Sequence, residues 1–412
     1  MFFVYFYFWF FENYEKLFKN IKLKLNAFRK KEKSPILNYP FSFAIILFVL
    51  SSFIAVAIAD FSNSAMGIYK AYFIEAVFIF ILSFDFIKKE GKEKIIFALA
   101  SSSLLLSLFA LWQRFNESFW LGGGERVSSI FPYPNALGLF LGPIIILIYF
   151  QIINYIKKEK KEWIKIIFLV ITFTTSFLAI YFAKSDGALI AVLASLFFFS
   201  LFISRRFLIG FLVLGLLAII IIFSQNTLRT YVLDKIQLKD FSGEVRKQQW
   251  KETWKMMTSS PHLFIFGTGL SNYQKEIKPF HQDGIFFNKD RDPDFRRKIV
   301  IFDEKYKAEH WRPVEIYMYP HNILLNFWTE LGLLGLISFL ALITQYFYFG
   351  FKFIKKNKVF ALGLMAIMLE IIIHGTVDVP YFKNDLSFLF WIFVSFMAIE
   401  WVKKDFSLKE KK

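Results

Sequence analysis

The sequence predicts an all-α membrane protein, a polytopic bundle of about 10 to 12 transmembrane helices with one large helical extracytoplasmic loop. Of the 412 residues, 56% are hydrophobic and 57 are Phe. Apolar stretches of about 20 residues, long enough to cross a ~30 Å hydrocarbon layer, recur along the chain. Most Lys and Arg lie in short clusters between these stretches, so the net charge of +17 indicates membrane topology rather than a nucleic-acid partner.

Ten apolar stretches are long enough to be membrane helices. They cover residues 36–59, 68–87, 94–113, 134–156, 163–182, 186–204, 206–224, 322–350, 358–378 and 384–402. Residues 1–11 are apolar but short, so a spanning helix and a segment lying on the membrane surface both remain open. No basic region precedes them and no small-residue cleavage site follows, so we expect no cleavable signal peptide. The absence of Cys excludes disulfides, thiolate chemistry and Cys-ligated metals.

The distribution of basic residues predicts the orientation of the helices. Six alternate connections together carry 28 Lys and Arg residues, whereas the four short loops on the other side carry 5. The basic connections and the C-terminus are therefore expected in the cytoplasm, and the long loop outside. The chain is thus predicted to begin with an apolar segment and a basic cytoplasmic stretch (1–35), followed by a first set of membrane helices (36–224). The extracytoplasmic loop (225–321) comes next, then a second set of membrane helices (322–402) and a basic cytoplasmic tail (403–412).

The long loop itself has helical character. Between about residues 244 and 259, apolar residues recur at helical spacing and alternate with Lys and Glu. Gly243 precedes this stretch and Pro261 follows it, which brackets an amphipathic helix. Such a helix can lie on the bilayer surface and cover a site at its edge.

The most informative motif lies where the loop returns to the membrane, in His321-Asn322-Ile-Leu-Leu-Asn-Phe-Trp-Thr-Glu330-Leu-Gly332-Leu-Leu-Gly335. An ionisable imidazole at the mouth of an apolar helix is costly without a function or a partner. The alternative is a histidine that only caps the helix or lies in the interface. The run resembles the His-Asn-x-x-Leu-x-x-x-x-Glu-x-Gly-x-x-Gly signature of the O-antigen ligase and O-antigen polymerase superfamily. Those membrane enzymes move a glycan from a polyprenyl-pyrophosphate carrier to an acceptor.

Further segments resemble the same family, in the family's order and over roughly residues 40–400. One runs from Arg126 through Pro-Tyr-Pro-Asn135-Ala-Leu-Gly138 and is similar to the family's Arg-x(n)-Asn/Pro-Pro-Asn-x-x-Gly segment. Another, Arg246-Lys-Gln-Gln-Trp, is similar to the family's Arg-x-x-x-Trp, and the later Phe-Gly-Thr-Gly is similar to its Gly-x-Gly.

The resemblance implies candidate roles for these residues. Transfer from a lipid pyrophosphate needs a base for the acceptor hydroxyl and fixed positive charge for the departing pyrophosphate. Because an imidazole ordinarily titrates near neutral pH, His321 is the candidate base. Arg246 is the second candidate catalytic residue, since a guanidinium binds phosphate oxygens in bidentate fashion. The candidate pyrophosphate-binding residues are Arg126, Arg246, Arg312 and Lys184, and the candidate supporting residues are Asn322, Glu330, His374 and Asp378.

One position departs from the family pattern. Where members commonly read Ser-Arg-Gly, this chain reads Lys184-Ser-Asp186-Gly. The role of the family's arginine therefore cannot be transferred to Asp186, and we hypothesise that Lys184 replaces its charge.

Two other clusters have alternative explanations. His374 and Asp378 lie four residues apart, which would place them on one face of a helix end, where they either support the acceptor site or fix the following loop. Asp290-Arg-Asp292-Pro-Asp294 resembles a metal-binding pattern but lacks the Gly and Glu of a calcium loop. We expect no metal here, because neighbouring arginines would compensate these carboxylates, namely Arg291, Arg296 and Arg297.

These patterns favour a glycosyltransferase of the bacterial inner membrane with an extracytoplasmic active site. Its donor would be a polyprenyl-pyrophosphate-linked glycan and its acceptor a glycan, lipid or protein. The resemblance implies inversion at the anomeric carbon and neither a metal nor another cofactor. An O-antigen ligase of lipopolysaccharide or surface polysaccharide assembly, an O-antigen polymerase and a protein O-oligosaccharyltransferase all fit. A lipid-linked glycan transporter or flippase would instead predict internal symmetry, and a non-catalytic assembly partner would not need the His and Arg set.

Overall fold

The computed structural model describes residues 40–116, 126–301, 303–354 and 357–409. The apolar residues 1–11 lie outside the described residues. In chain order the elements are α1 (Ser42–Ile58), α2 (Asn63–Glu90), α3 (Lys92–Phe115), α4 (Pro134–Ile156), α5 (Trp163–Phe182), α6 (Asp186–Ser200), α7 (Arg205–Ser224), α8 (Asn226–Ile236), α9 (Phe241–Met257), α10 (Pro261–Phe266), α11 (Tyr273–Ile277), β1 (Gly284–Phe286), α12 (Phe295–Val300), α13 (Glu304–His310), β2 (Trp311–Pro313), α14 (Ile323–Phe353), α15 (Lys358–Gly375) and α16 (Asn384–Lys409).

The predicted all-α membrane class is confirmed. Within the described ranges, eight helices are long and apolar enough to cross a membrane, and these are α2, α3, α4, α5, α7, α14, α15 and α16. Two shorter apolar helices, α1 and α6, complete the ten predicted stretches. The differences lie in details: α2 contains a π-helical segment at Tyr69–Ile74. In addition, α15 ends at Gly375 instead of 378, because the chain turns there.

Helices that are distant in sequence form the core of the bundle. Helix α14 packs on α1, α15 packs on both α4 and α6, and α16 packs on α2. The buried rings of Phe48, Phe327, Tyr381 and Trp391 meet at this centre, with centroids 5.3–5.8 Å apart. Close van der Waals packing of this kind stabilises helix contacts in a lipid environment, where the hydrophobic effect contributes little.

Two glycines allow three helix ends to meet at one end of the bundle. A Cβ atom on Gly138, near the start of α4, would lie 2.6 Å from Ser185 Oγ, immediately before α6. A Cβ atom on Gly187, in the first turn of α6, would lie 3.2 Å from the His374 ring at the end of α15. The lack of a side chain at both positions therefore permits the start of α4, the start of α6 and the end of α15 to come into contact.

Helix α14 is interrupted at Gly332, which the sequence does not predict. The φ of 68° and ψ of −170° at this residue are not helical. A Cβ atom on Gly332 would lie 2.5 Å from Ile265 O, so the loop around α10 packs directly against the interruption. Close by, Glu330 accepts a hydrogen bond from the Ser271 N–H at 2.7 Å. Glu330 and Gly332, the Glu-x-Gly part of the motif, therefore both contact α10 or the loop that follows it, and these contacts hold that region against α14.

We expect Gly332→Ala to destabilise the protein, because the new methyl group meets backbone atoms and the residue must keep its positive φ. The expected loss is about 1–3 kcal/mol of unfolding free energy. Gly210 in α7 provides a matched control, since a Cβ atom there would meet nothing within 4 Å. Thermal unfolding in detergent should give a lower Tm for Gly332→Ala than for Gly210→Ala, and equal Tm values would contradict this account.

The region between α7 and α14 is mainly helical, as predicted, but it also contains a small sheet. Strands β1 and β2 pair antiparallel, with Ile285 opposite Arg312. Three-residue strands are too short to show an alternating pattern in the sequence. The predicted amphipathic helix is α9, which begins at Phe241. Gly243 therefore lies inside its first turn, where a Cβ atom would lie 2.6 Å from the Leu238 backbone.

Candidate functional site

His321 lies directly before α14, and its environment is polar on one side and aromatic on the other. Its Nδ1 atom lies 3.7 Å from Asp378 Oδ1, and 20% of its side chain is exposed. Tyr317 and Tyr319 approach the imidazole edge-on, with ring centroids 5.0 and 5.1 Å away. The φ of 45° at His321 is in the left-handed region, which is uncommon for a residue other than glycine and typical of functional sites.

The Asp378 carboxylate is buried and remains ionised. Only 2% of the residue is exposed, and the Val379 N–H donates to its Oδ1 atom at 2.8 Å. Burial acts to raise the pKa of Asp378, but His321 and then His374 lower it by more, so the pKa falls below its usual value. Within the described residues Nδ1 of His321 makes no hydrogen bond, since 3.7 Å is an ion-pair separation. Asp378 is nevertheless the nearest acidic partner of His321. The sequence predicted only a supporting role for Asp378, whereas the structure places its carboxylate directly against the candidate base.

Asn322 is the residue that caps α14. Its Oδ1 atom accepts hydrogen bonds from the N–H groups of Leu324 and Leu325, both at 3.0 Å. Its Nδ2 atom donates to Thr376 O at 3.1 Å, which ties the start of α14 to the turn that carries Asp378. Asn322 therefore provides the N-cap of α14, and the His321 side chain does not take part in capping.

Arg126 is held at the junction of α4 and α6. Its Nε atom donates to Ala183 O at 2.8 Å, and its Nη2 atom donates to Asn135 Oδ1 at 2.7 Å. Both Arg126 and Asn135 belong to the segment singled out from sequence, and the hydrogen bond explains their joint presence. Burial lowers the pKa of Arg126, Asp186 opposes this, and the charge of Arg246 lowers it further.

Arg246 connects α9 with the turn that carries Asp378. Its Nε atom donates to Val377 O at 2.8 Å. One turn later, the Trp250 indole donates to Pro320 O at 2.9 Å, next to His321. Burial raises the pKa of Tyr317, the charge of Glu315 adds to this rise, and the charge of Arg246 opposes it. Among the described residues, neither Arg246 nor Arg126 forms an ion pair with a carboxylate.

Asp186, which occupies the position of the family's arginine, forms an ion pair with a lysine that the sequence does not predict. Asp186 Oδ2 lies 2.6 Å from Lys235 Nζ, and Lys235 also contacts Asp240 at 2.9 Å. Burial acts to lower the pKa of Lys235, but the two carboxylates raise it by more, so the ammonium stays charged. Lys184, the hypothetical substitute, has an exposed side chain, and its carbonyl accepts from Arg126 at 3.2 Å. No sequence signal connects α8 with Asp186.

The remaining candidates, Arg312, Glu330 and His374, make their side-chain contacts with residues other than His321. Arg312 is in β2, and its guanidinium donates to Trp311 O at 2.8 Å. Glu330 contacts the loop after α10, as described above. His374 is buried in the bundle, with Nδ1 3.3 Å from Glu370 Oε1, and its backbone carbonyl accepts a hydrogen bond from the Asp378 N–H at 3.1 Å. Because α15 ends at Gly375, His374 and Asp378 do not share a helix face.

The aspartate cluster has basic partners other than those expected. Asp292 lies 2.6 Å from Lys298 Nζ and accepts a hydrogen bond from the Tyr306 hydroxyl at 2.6 Å. These contacts lower the pKa of Asp292 to about 2. Arg291 pairs instead with Asp234 of α8. The prediction that Arg291, Arg296 and Arg297 compensate the cluster was therefore wrong, because Lys298 lies closer. No group of three or more metal-ligating side chains occurs within the described ranges.

Chemically, this end of the bundle combines a basic group with fixed positive charge. An imidazole faces a buried carboxylate, the guanidiniums of Arg126 and Arg246 are held by backbone carbonyls, and α4, α6 and α14 all begin here. The N-termini of helices carry partial positive charge, which adds to the attraction for an anion. The arrangement can accept a proton from a hydroxyl and stabilise a phosphorylated group next to it.

Comparison with known proteins gives an independent result. Residues 171–340 match the family model described as O-antigen ligase. A search of curated proteins gave no match. The matched region runs from α5 into α14 and contains Lys184, Arg246 and His321, whereas Arg126 and Asp378 lie outside it. Residues 171–340 of this multi-pass helical protein are therefore similar to the O-antigen ligase family of membrane proteins.

Proposed function

We propose that this protein transfers a glycan from a polyprenyl-pyrophosphate carrier to a hydroxyl of an acceptor, on the extracytoplasmic face of the bacterial inner membrane. The observation that carries the proposal is the contact between His321 Nδ1 and the buried Asp378 carboxylate at 3.7 Å, with the Arg246 guanidinium hydrogen-bonded to Val377 O next to Asp378. An imidazole with an acidic partner is suited to general-base catalysis, and the guanidiniums of Arg126 and Arg246 are suited to binding pyrophosphate.

His321 acts on the acceptor. Because Nδ1 faces Asp378, Nε2 is the nitrogen that takes the proton from the acceptor hydroxyl. The oxygen then forms a bond to the anomeric carbon of the glycan. The resulting imidazolium is stabilised by the Asp378 carboxylate, which stays ionised because its pKa is lowered.

Arg126 and Arg246 act on the leaving group. As the bond between the anomeric carbon and the pyrophosphate oxygen breaks, its electron pair leaves with the polyprenyl pyrophosphate. The two guanidiniums are held by backbone carbonyls at Ala183 and Val377 and so are preorganised for this charge. Attack and departure occur on opposite faces of the sugar, so a single displacement inverts the anomeric centre.

The experiment that tests the function uses the purified full chain in lipid nanodiscs. It would be incubated with a polyprenyl-pyrophosphate-linked glycan and with three acceptors, namely a lipid A core, a second lipid-linked glycan and a protein substrate. We expect free polyprenyl pyrophosphate to appear together with glycosylated acceptor for at least one of them. Mass spectrometry measures both products, and the absence of both with every acceptor would contradict the proposal.

The topology that this function requires is tested by single-cysteine labelling of the Cys-free chain. Lys289, which is exposed in the region between α7 and α14, should be extracytoplasmic, and Lys89 at the end of α2 should be cytoplasmic. We expect an impermeant maleimide to label Lys289→Cys in cells with a permeabilised outer membrane. Lys89→Cys should react only after the inner membrane is opened. The reverse pattern would place the site on the wrong face for the proposed donor.

A further inference from the structure

Helix α10 and the end of α9 present large apolar side chains that the described residues leave uncovered. In α10, Phe264, Ile265 and Phe266 are 39%, 47% and 46% exposed, and Trp254 in α9 is 56% exposed. Trp254 and Phe264 pack on the same Trp328 ring, with centroids 5.6 and 5.2 Å from it. We call Trp254, Phe264, Ile265 and Phe266 the apolar patch. Exposed apolar side chains grouped in this way mark an interaction surface.

The Gly267-Thr268-Gly269 motif, which the proposed mechanism does not use, holds α10 against two apolar helices. Both glycines have a positive φ, 75° at Gly267 and 78° at Gly269. A Cβ atom on Gly267 would collide with Thr329 O of α14, and one on Gly269 would lie 2.9 Å from Ala55 O of α1. The Thr268 N–H donates to Thr329 O at 2.7 Å. The motif thus permits a close approach that residues with side chains would prevent.

These contacts place the apolar patch at the edge of the hydrocarbon layer. Gly332 of α14 packs against Ile265 O. The part of α14 that follows Gly332, residues 333–353, is alone long enough to cross a ~30 Å layer. Just below Gly332, Leu334 and Ile337 are 36% and 55% exposed, as expected for side chains that face lipid. The apolar patch therefore adjoins the lipid-facing surface of α14 at its boundary on the His321 side.

The backbone of this segment is also prepared for contact with lipid, where polar backbone groups need partners within the protein. The Trp328 indole donates to Phe264 O at 2.8 Å. The Gly267 N–H donates to Leu263 O at 2.9 Å, so α10 closes its last turn. The side chains of the patch, rather than these backbone groups, face the surroundings.

Exposed cations accompany the apolar patch. Lys251 and Lys255 lie on α9 on either side of Trp254, and both are exposed. Aromatic rings at the hydrocarbon boundary with lysines beside them are typical of segments that lie in a membrane interface, because the ammonium groups reach the headgroup phosphates.

We propose that the apolar patch inserts into the phospholipid leaflet on the His321 side and anchors the region between α7 and α14 to the bilayer. Its partner is the acyl-chain region of that leaflet. This refines the expectation that α9 lies on the bilayer surface, since α9 buries Gln249, Glu252 and Met256 within the protein and presents Trp254 to lipid. The anchoring does not depend on the proposed glycan transfer.

Spin labels at single cysteines measure the depth of the patch in this Cys-free chain. Ile265→Cys would carry a nitroxide in the full chain, reconstituted in nanodiscs of phosphatidylethanolamine and phosphatidylglycerol. Power saturation of its EPR signal gives the accessibility to oxygen, which partitions into lipid, and to nickel ethylenediaminediacetate, which stays in water. We expect accessibility to oxygen to exceed accessibility to the nickel reagent severalfold, as for a label at the lipid-facing Ile337→Cys.

Val300→Cys is the matched control. Val300 is apolar and 62% exposed, and it also belongs to a six-residue helix, but it is not part of the patch. Its label should be more accessible to the nickel reagent than to oxygen. Phe266→Cys repeats the measurement at a second position of the patch, and Tm values would show that the labelled variants are folded.

Two outcomes overturn the proposal. A label at Ile265→Cys that is as accessible to the nickel reagent as one at Val300→Cys would mean that water covers the patch. Low accessibility to both reagents would mean that protein covers it, as in an interface between two copies of the chain. Because these nanodiscs contain no polyprenyl lipid, high accessibility to oxygen reports the bilayer and not a bound donor.

Discussion

Replacing His321 by Ala should abolish glycan transfer while the protein stays folded and inserted in the membrane. General-base assistance is typically worth about 10²–10⁴ in rate. The stability of the variant should change little, because Asn322 provides the cap of α14 and His321 does not. The measurements are kcat for transfer with purified donor and acceptor, and Tm in detergent.

The matched control for this variant is His262→Ala. His262 is exposed at the start of α10 and lies outside the candidate site. It should keep the activity of the wild-type protein. If the two histidine variants had the same activity, His321 would be an ordinary interfacial residue.

Replacing Arg246 by Lys should lower kcat about 10²-fold, although the charge is kept. The guanidinium is anchored through Nε to Val377 O at 2.8 Å and can present its remaining N–H groups to a phosphate. A lysine has neither the anchoring Nε–H nor the planar fork. Its ammonium group would therefore be displaced and less well oriented toward the pyrophosphate.

Arg297→Lys serves as the control for that substitution. Arg297 is exposed in α12, beside the aspartate cluster, and is assigned no role in the proposed chemistry. We expect its kcat to match that of the wild-type protein, with normal expression of both variants. Equal activities for Arg246→Lys and Arg297→Lys would remove Arg246 from the donor site.

The helical bundle was predictable because each membrane helix is encoded locally. A run of about 20 apolar residues must satisfy its own backbone hydrogen bonds in lipid, so its length and composition determine its structure. The interruption at Gly332 was not predictable in this way. Its positive φ depends on the loop around α10, which packs against it from a different part of the chain.

The candidate site was predictable only as separate segments. His321, Arg126 and Arg246 stand in local patterns that resemble a family, and the structure places all three at one end of the bundle. The pairing of His321 with Asp378 and of Asp186 with Lys235 required the tertiary structure. Each pair joins segments that meet only through helix packing, so neither spacing nor periodicity reports it.

The most direct test of the proposed base is chemical rescue of the His321→Ala variant by imidazole. A small imidazole can diffuse into the space left by the side chain and accept the proton of the acceptor hydroxyl. We expect the transfer rate of His321→Ala to rise with the concentration of neutral imidazole and to saturate, while the rates of the wild-type protein and of His262→Ala do not rise. A His321→Ala variant whose transfer rate is unchanged by imidazole would contradict the assignment of His321 as the general base.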